Sequence, residues 1–366
     1  MAIPLLDLKA QYNLISEEIN AAVKLVLESG EYILGKNVIE LEAAVADLCG
    51  ASYGIGVASG TDALLLALDA CGIKPGDEVI TSPYTFFATA EVISRLGARP
   101  VFCDIDIDTY NLNPNLLESL ITPSTRAIIP VHLYGQVTGM VEILELAHRC
   151  NLYVIEDACQ AMGAEQYEKK AGSWGDAGCF SFFPSKNLGG YGDGGMVVTS
   201  NGEIAARIKK LRHHGTDQKY YHSLIGYNSR LDEMQAAVLL VKLKRLGQWN
   251  NQRRANAALY NQLFNDSGLA LPVEVPGSKH IYHQYVIRHP RRDRIIEKLN
   301  QSKIGCAVYY PLPLHLQEVY RGLGLQPGAF PMAELAARET LALPVYPELS
   351  SEQIAFIAGM VLASVA

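Results

Sequence analysis

The sequence predicts an α/β protein: a large domain on a mainly parallel central sheet, followed by a smaller C-terminal α/β domain. Three observations carry this. Strand-sized runs such as VIED and MVVTS are unbroken in Val, Ile and other apolar residues, the pattern of strands buried on both faces. Helical patterns alternate with those runs to about residue 200, the rhythm of a sheet covered by helices. The rhythm then stops, and a long helical stretch, LDEMQAAVLLVKLKRLGQW, leads into a region rich in Pro and Tyr. The division falls near residue 245, giving domains of 1–245 and 246–366.

Taken in order, Ile19, Val23, Val26 and Leu27 recur at helical spacing within Ser16–Glu28. Tyr53–Ala58 reads as a strand and Thr61–Cys71 as an apolar helix opened by a small-residue turn. Glu78–Ser82 is a strand and Thr85–Leu96 a helix. Arg99–Ile105 and Thr125–Val131 are strands, Met140–Arg149 a helix and Leu152–Asp157 a strand. Cys179–Phe183 and Gly195–Ser200 complete the sheet, with helices from about Glu203 and Arg230. Ile281–Arg288 and Cys306–Tyr310 are the expected strands of the second domain.

Composition narrows the function. Over 366 residues, 31 basic and 38 acidic side chains leave a net charge of −7, with no basic surplus to neutralise a nucleic-acid backbone. No apolar run is long enough to span a membrane, and MAIPLLDLKAQY lacks the pattern of a signal peptide. The 7 cysteines are scattered, with no CxxC pair, which reads as reduced thiols in a cytoplasmic protein and argues against a metal site.

Two phosphate-binding strings are decoys. Gly30–Asn37 approaches the P-loop pattern, but Asn37 stands where Ser or Thr must hold magnesium, and an amphipathic helix precedes it. A helix-to-helix turn with a C-cap glycine fits better. Gly190, Gly192 and Gly195 spell G-x-G-x-x-G, but a strand follows where a dinucleotide site needs a helix. A nicotinamide dehydrogenase is disfavoured for that reason.

In an open parallel sheet, ligands bind beyond the carboxyl ends of the strands. Lys186 sits at such a point, in SFFPSKNLGGYGDGG; a Schiff-base lysine needs the deprotonated amine that burial favours. A solvated surface lysine is the plain alternative, and the glycines that follow suit the lining of a flat cofactor. Asp157 closes its strand where a carboxylate serves either as a helix cap or as partner to a protonated pyridine nitrogen in pyridoxal phosphate (PLP) enzymes. Ser59-Gly60-Thr61 offers hydroxyls and helix-start N–H groups to a phosphate, or an ordinary cap. Ser181 can add a hydroxyl. Phe86 can offer a flat face, or belong to the core.

That order along the chain resembles the DegT/DnrJ-type nucleotide-sugar aminotransferases, which have the fold-type I PLP architecture. The resemblance runs nearly end to end, through SGTDALLLAL, TFFATA, VIEDACQAMGA, SFFPSKNLGGYGDGG, GYNSRLDEMQAA and YYPLPLHLQ. It implies that Lys186 binds PLP as a Schiff base and then shuttles a proton, and that Asp157 pairs with the ring nitrogen. It implies further that Gln160 bonds the phenolic oxygen, that Gly60, Thr61 and Ser181 hold the phosphate, and that Phe86 stacks on the ring. Asn228 is expected to reach the phosphate in the neighbouring subunit, making the enzyme a homodimer with no nucleic-acid or membrane partner.

The amino donor implied is L-glutamate. The acceptor implied is a 3-keto nucleotide sugar such as UDP-2-acetamido-2-deoxy-hex-3-uluronate, in amino-sugar or polysaccharide biosynthesis. A 3-keto or 4-keto dTDP-sugar is the alternative acceptor. Relatives with His in place of the lysine are dehydratases, and the retained Lys186 favours transamination; a silent regulator on this fold is disfavoured by Lys186 and Asp157 together. Arg230 can meet a sugar carboxylate or form a structural ion pair with Asp232 or another carboxylate. Tyr309, Tyr310 and His315 are further candidate substrate contacts. Tyr309 departs from the His common at that position, so specificity does not carry over directly.

Overall fold

The computed structural model describes residues 2–365. Seven strands form the central sheet: β1 Tyr53–Val57, β2 Glu78–Thr81, β3 Arg99–Phe102, β4 Thr125–Ile129, β5 Tyr153–Asp157, β6 Ala177–Ser181 and β7 Gly195–Thr199. Their spatial order is β1-β7-β6-β5-β4-β2-β3. All pairings are parallel except those of β7, which runs antiparallel to both neighbours. The continuous apolar runs are explained by burial on both faces. Ile80, Ile128, Val154 and Met196 face one core, with Val38, Ile143 and Leu239 from the helices α2 (Lys36–Cys49), α5 (Met140–Cys150) and α7 (Glu233–Leu243). Val79, Ile129, Ile155 and Val197 face the other, against Leu64, Val92 and Ile208 from α3 (Gly60–Ala70), α4 (Ala88–Arg95) and α6 (Gly202–Leu211).

The first helix, α1, covers Leu8–Ser29 and ends on Gly30 at φ 69°, as the C-cap reading anticipates. The N-terminus of α2 is already occupied: Glu233 accepts from the N–H groups of Asn37 at 2.9 Å and Val38 at 2.9 Å. The near-P-loop therefore has an anion of its own. The long helical stretch after Arg230 divides into α7 and α8 (Leu246–Leu263). A third core joins Ile3 to Tyr260, Tyr285, Leu341 and Ile357, drawing on α8, β8 (Tyr285–Arg288), β9 (Thr340–Leu343) and the last helix, Ser351–Val365.

Three expectations are corrected. The helix placed at Thr85–Leu96 starts at Ala88, leaving Thr85–Phe87 as a loop beyond β2. Ile281–Arg288 is a strand only from Tyr285. Cys306–Tyr310 forms no strand, only a bridge between Ala307 and Ala342. There the Tyr309 carbonyl accepts from the Tyr84 hydroxyl at 2.7 Å, and the Tyr310 N–H donates to that Tyr84 hydroxyl at 3.1 Å, so a side chain takes the groups that a ladder would need.

Beneath the strand ends lies one fully buried carboxylate. Glu156 accepts from the N–H groups of Gly172 and Trp174 at 2.7 Å each, from Gly175 at 2.8 Å, and from His132 Nε2 at 2.8 Å. Glu156→Ala strands these donors without water and is expected to lower the unfolding free energy by at least about 3 kcal/mol. Urea unfolding measures this; an unchanged midpoint would contradict it.

Candidate active site

A cavity of about 670 Å³ opens at the carboxyl ends of β1, β2, β5 and β6. Gly60, Thr61, Phe86, Asp157, Gln160, Ser181, Lys186, Tyr309 and Tyr310 all line it. Asn228, Arg230 and His315 do not. Asn228 is exposed on the surface. His315 is buried and faces Glu334, with Nε2 at 3.1 Å from the carboxylate. Arg230 contacts His213 Nδ1 at 3.2 Å. Its expected structural partner, Asp232, instead caps α7 by accepting from the Gln235 N–H at 2.8 Å. Among the described residues no carboxylate pairs with Arg230.

Register brings the phosphate-type loop together with Ser181. Val57, Gly195 and Ser181 occupy one row across β1, β7 and β6. A Cβ at Gly195 would lie 2.3 Å from the Ser59 carbonyl oxygen, and one at Gly60 would lie 2.7 Å from Ser181 Cβ. Only glycine lets these backbones approach. Ser59 caps α3 through the Asp62 N–H at 3.1 Å. The N–H groups of Gly60 and Thr61 donate to no protein group among the described residues, so a helix start with two free donors faces the cavity.

Asp157 is buried at the end of β5. Its Oδ2 accepts from the Thr89 hydroxyl at 2.7 Å and its Oδ1 from the Cys159 N–H at 3.2 Å. Gln160 has its orientation set by the backbone: Oε1 accepts from the Tyr134 N–H at 2.8 Å, which leaves the amide N–H₂ as the donor, bonded to the Tyr310 hydroxyl at 3.1 Å. Phe86 is 58% exposed, which removes the core reading, and its ring lies 6.3 Å from that of Tyr310. Lys186 sits on a turn whose N–H donates to the Phe183 carbonyl at 2.9 Å. Burial depresses its ammonium form, while Cys159 and Asp157 act in the opposite sense.

The glycine cluster is less of a lining than the sequence suggests. Of its glycines only Gly194 reaches the cavity. Gly190 and Gly192 make room for Gln235 of α7, and the Gly189 carbonyl accepts from Lys242 Nζ at 2.7 Å. Thr89, Tyr134 and His283 are the site residues that sequence reasoning missed. Tyr134 and His283 line the cavity, and Thr89 touches it through Asp157. For Tyr134 the available signal was its place in the segment just past β4.

Pyridoxal phosphate fits this set of groups. The free N–H donors beside Ser181 suit a phosphate, the exposed Phe86 ring a flat face, the buried Asp157 a protonated ring nitrogen, and the desolvated Lys186 amine a carbonyl carbon.

A doubly covered α/β sheet holding a desolvated lysine, a buried carboxylate and an anion-binding helix start defines an aminotransferase of the PLP-binding class. Residues 13–362 match the DegT/DnrJ/EryC1/StrS aminotransferase family, and the chain belongs to that family. It is 49% identical over 360 residues to a protein of Geobacillus stearothermophilus called a pleiotropic regulatory protein, covering 98% of this chain and 97% of that one. It is 46% identical over 360 residues to a UDP-N-acetyl-3-dehydro-alpha-D-glucosamine 3-aminotransferase of Acidithiobacillus ferrooxidans, with the same coverage. The crystal structure of DesV from Streptomyces venezuelae, in complex with a ketimine intermediate, superposes with a TM-score of 0.97 at 43% identity, covering 100% of this chain and 98% of that one.

The depressed Lys186 pKa has a sign that can be checked. The neutral amine is the nucleophile, so capture of PLP by the apoprotein is expected to accelerate with pH and level off below the 10.5 of an ordinary lysine. Stopped-flow absorbance of Schiff-base formation across pH measures this. A midpoint at or above 10.5 would contradict the desolvation.

Proposed function

We propose that this cavity carries out PLP-dependent transamination in which L-glutamate gives up its amino group and a nucleotide-linked 3-keto sugar then receives it, in ping-pong order. The observation that carries the reading is one cavity shared by a desolvated lysine, a buried carboxylate held on both oxygens and a helix start with free donors. When bound, PLP supplies a protonated ring able to accept the electron pair released at the amino-bearing carbon. Lys186 would hold the cofactor's carbonyl carbon through Nζ, and its freed amine would carry the proton taken from the donor carbon. Asp157, oriented by Thr89 and the Cys159 N–H, would pair with the ring nitrogen. Gln160 turns its amide donor toward the phenolic oxygen. Gly60, Thr61 and Ser181 grip the phosphate, and Phe86 covers the ring.

The phosphate grip is completed by Asn228 from a second copy of the chain, in a homodimer. The support is its exposure on a segment that also leaves Tyr221 and Ile225 exposed, together with the family resemblance. We assign the acceptor as UDP-2-acetamido-2-deoxy-hex-3-uluronate. The Acidithiobacillus relative, whose name specifies a UDP-linked 3-dehydro sugar, supports the nucleotide and the keto position. Arg230, without a carboxylate partner of its own, supports the uronate. The division into 1–245 and 246–366 is retained, with the core around Tyr260 and Ile357 supporting the second unit. A cytoplasmic location is supported by seven free thiols.

Lys186→Ala is expected to abolish the visible Schiff-base band. Asp157→Asn is expected to retain PLP and cut turnover on the order of 100-fold or more. Spectra and single-turnover kinetics read both; a colourless wild type supplied with PLP would refute the cofactor assignment. Arg230→Lys, which keeps the charge and loses the bidentate fork, is expected to impair amination of the 3-keto uronate far more than that of the neutral 3-keto sugar. A panel of UDP- and dTDP-linked keto sugars with glutamate measures it, and equal losses on the two UDP-sugars would overturn the carboxylate contact.

A further inference from the structure

A buried chain of hydrogen bonds behind Lys186 fixes the proton of a histidine that the mechanism above does not use. The chain starts at an acceptor-only group, the Met162 carbonyl, which takes a hydrogen bond from Asn250 Nδ2 at 3.1 Å. Asn250 therefore turns its Oδ1 toward Asn187, whose Nδ2 donates to it at 2.7 Å. The same Asn187 amide nitrogen lies 3.3 Å from the Ile281 carbonyl, a second acceptor-only partner, which fixes the Asn187 orientation independently. Asn187 Oδ1 is thus left facing His283 Nδ1, at 3.0 Å. An amide oxygen cannot donate, so Nδ1 must carry the proton. In a neutral ring that leaves Nε2 as a bare lone pair.

All three side chains are buried. Nε2 has no protein partner among the described residues, yet it is not among the fully enclosed polar atoms, and His283 lines the same cavity as Lys186. Position in the chain tightens the link, because Asn187 immediately follows Lys186: the residue that sets the tautomer of His283 is joined by a peptide bond to the lysine. Burial, Lys186 and Arg253 all disfavour the imidazolium, which agrees with the tautomer that the hydrogen bonds dictate. On the lysine side, the charged or titratable groups are Asp157 and Cys159.

We infer that His283 is a positioning residue for Lys186: its Nε2 lone pair accepts a hydrogen bond from the lysine amine once that amine is free, holding it beside the two carbons between which it moves the proton. No covalent bond forms at His283, and no proton need leave Nδ1. A flexible four-carbon side chain released into a cavity of about 670 Å³ would otherwise sample many orientations, and a fixed acceptor restricts it to those that aim its nitrogen lone pair at the reacting carbon. The inference rests on the reading of Lys186 as the PLP-binding lysine.

The test uses the full-length enzyme loaded with PLP and three variants. His283→Phe keeps a flat ring and removes the acceptor. His283→Gln restores an oxygen acceptor. Asn187→Ala leaves the imidazole in place and frees its tautomer. The expected result is that His283→Phe forms the visible Schiff-base band, but its half-reaction with glutamate slows on the order of 10- to 100-fold, with a small change in KM. The primary isotope effect with α-deuterated glutamate rises, because proton transfer becomes the slow step. His283→Gln recovers part of the rate. Asn187→Ala shifts the pH dependence of Schiff-base formation in apoprotein titrated with PLP, a spectroscopic readout that does not depend on turnover. Wild-type isotope effects in His283→Phe, or wild-type pH profiles in Asn187→Ala, would overturn the inference while leaving the lysine assignment intact. Should His283→Phe not fold, His283→Gln and Asn187→Ala decide the question on the same two readouts. A wild type without the band would instead defeat the cofactor reading itself.

Discussion

Four donors converge on the carboxylate of Glu156, and the direction of Gln160 in the active site descends from that point. A charge this deep costs several kcal/mol in lost hydration, and it is tolerated only when its lone pairs are met by well-aimed donors. Here three N–H groups from Gly172 to Gly175 and one imidazole supply them. The imidazole, His132, is fixed in turn by the Thr138 N–H, which donates to Nδ1 at 3.2 Å. His132 thereby anchors the loop that carries Tyr134, and the Tyr134 N–H turns Gln160 so that its donor faces the cavity. Asp157 is the next residue along the strand and points the other way, as strand alternation requires. One strand end thus places a structural carboxylate on one side and a cavity-facing one on the other.

The same economy recurs at the aromatic wall. Tyr84, fully buried, shares hydroxyl contacts with the Tyr309 carbonyl, the Tyr310 N–H and Thr340. The Tyr134 hydroxyl also donates to the Tyr309 carbonyl. These bonds tie the segment carrying Tyr309 and Tyr310 to the loops beyond β2 and β4. The cavity is therefore closed on one side by residues far apart in sequence, and Phe86 meets Tyr310 across its mouth.

Legibility in the sequence followed locality. Strand ends could be read because unbroken apolar runs stop where the polar residues begin, which placed Asp157, Lys186 and Ser59–Thr61 correctly at the rim of the sheet. Phe86 became identifiable as a site residue once the helix after β2 was seen to start two residues beyond it. What the sequence hid were groups whose role depends on a distant partner. His283 sits in IYHQYVIR, which has the look of a strand, and nothing local says that Asn187, 96 residues earlier, will fix its proton. Thr89 reads as an ordinary helical residue until Asp157 arrives against it. The glycine cluster erred in the opposite direction: its density suggested a cofactor lining, whereas Gly190 and Gly192 mainly let α7 pack close through Gln235. Glycine marks close approach, and sequence does not say what approaches.

The charge balance carries the argument one step further. Lys186 is the only lysine or arginine among the residues lining the cavity, and two carboxylates, Asp157 and Asp193, share it. The proposed substrates both carry anionic groups: the two carboxylates of glutamate and the diphosphate of a nucleotide sugar. With Asp157 assigned to the cofactor's ring nitrogen and Lys186 to its carbonyl carbon, no lining lysine or arginine is left to face those groups, and the exposed Asp193 adds a carboxylate beside them. In the proposed homodimer, the second copy of the chain can bring cations to the cavity. Arg230, partly exposed beside His213 and without a carboxylate partner among the described residues, is a positive charge that its own cavity does not use. It lies two residues from Asn228, the residue proposed to cross into the neighbouring subunit. On that proposal the net charge of −7 poses no obstacle to binding anions, because what matters is where a few cations stand.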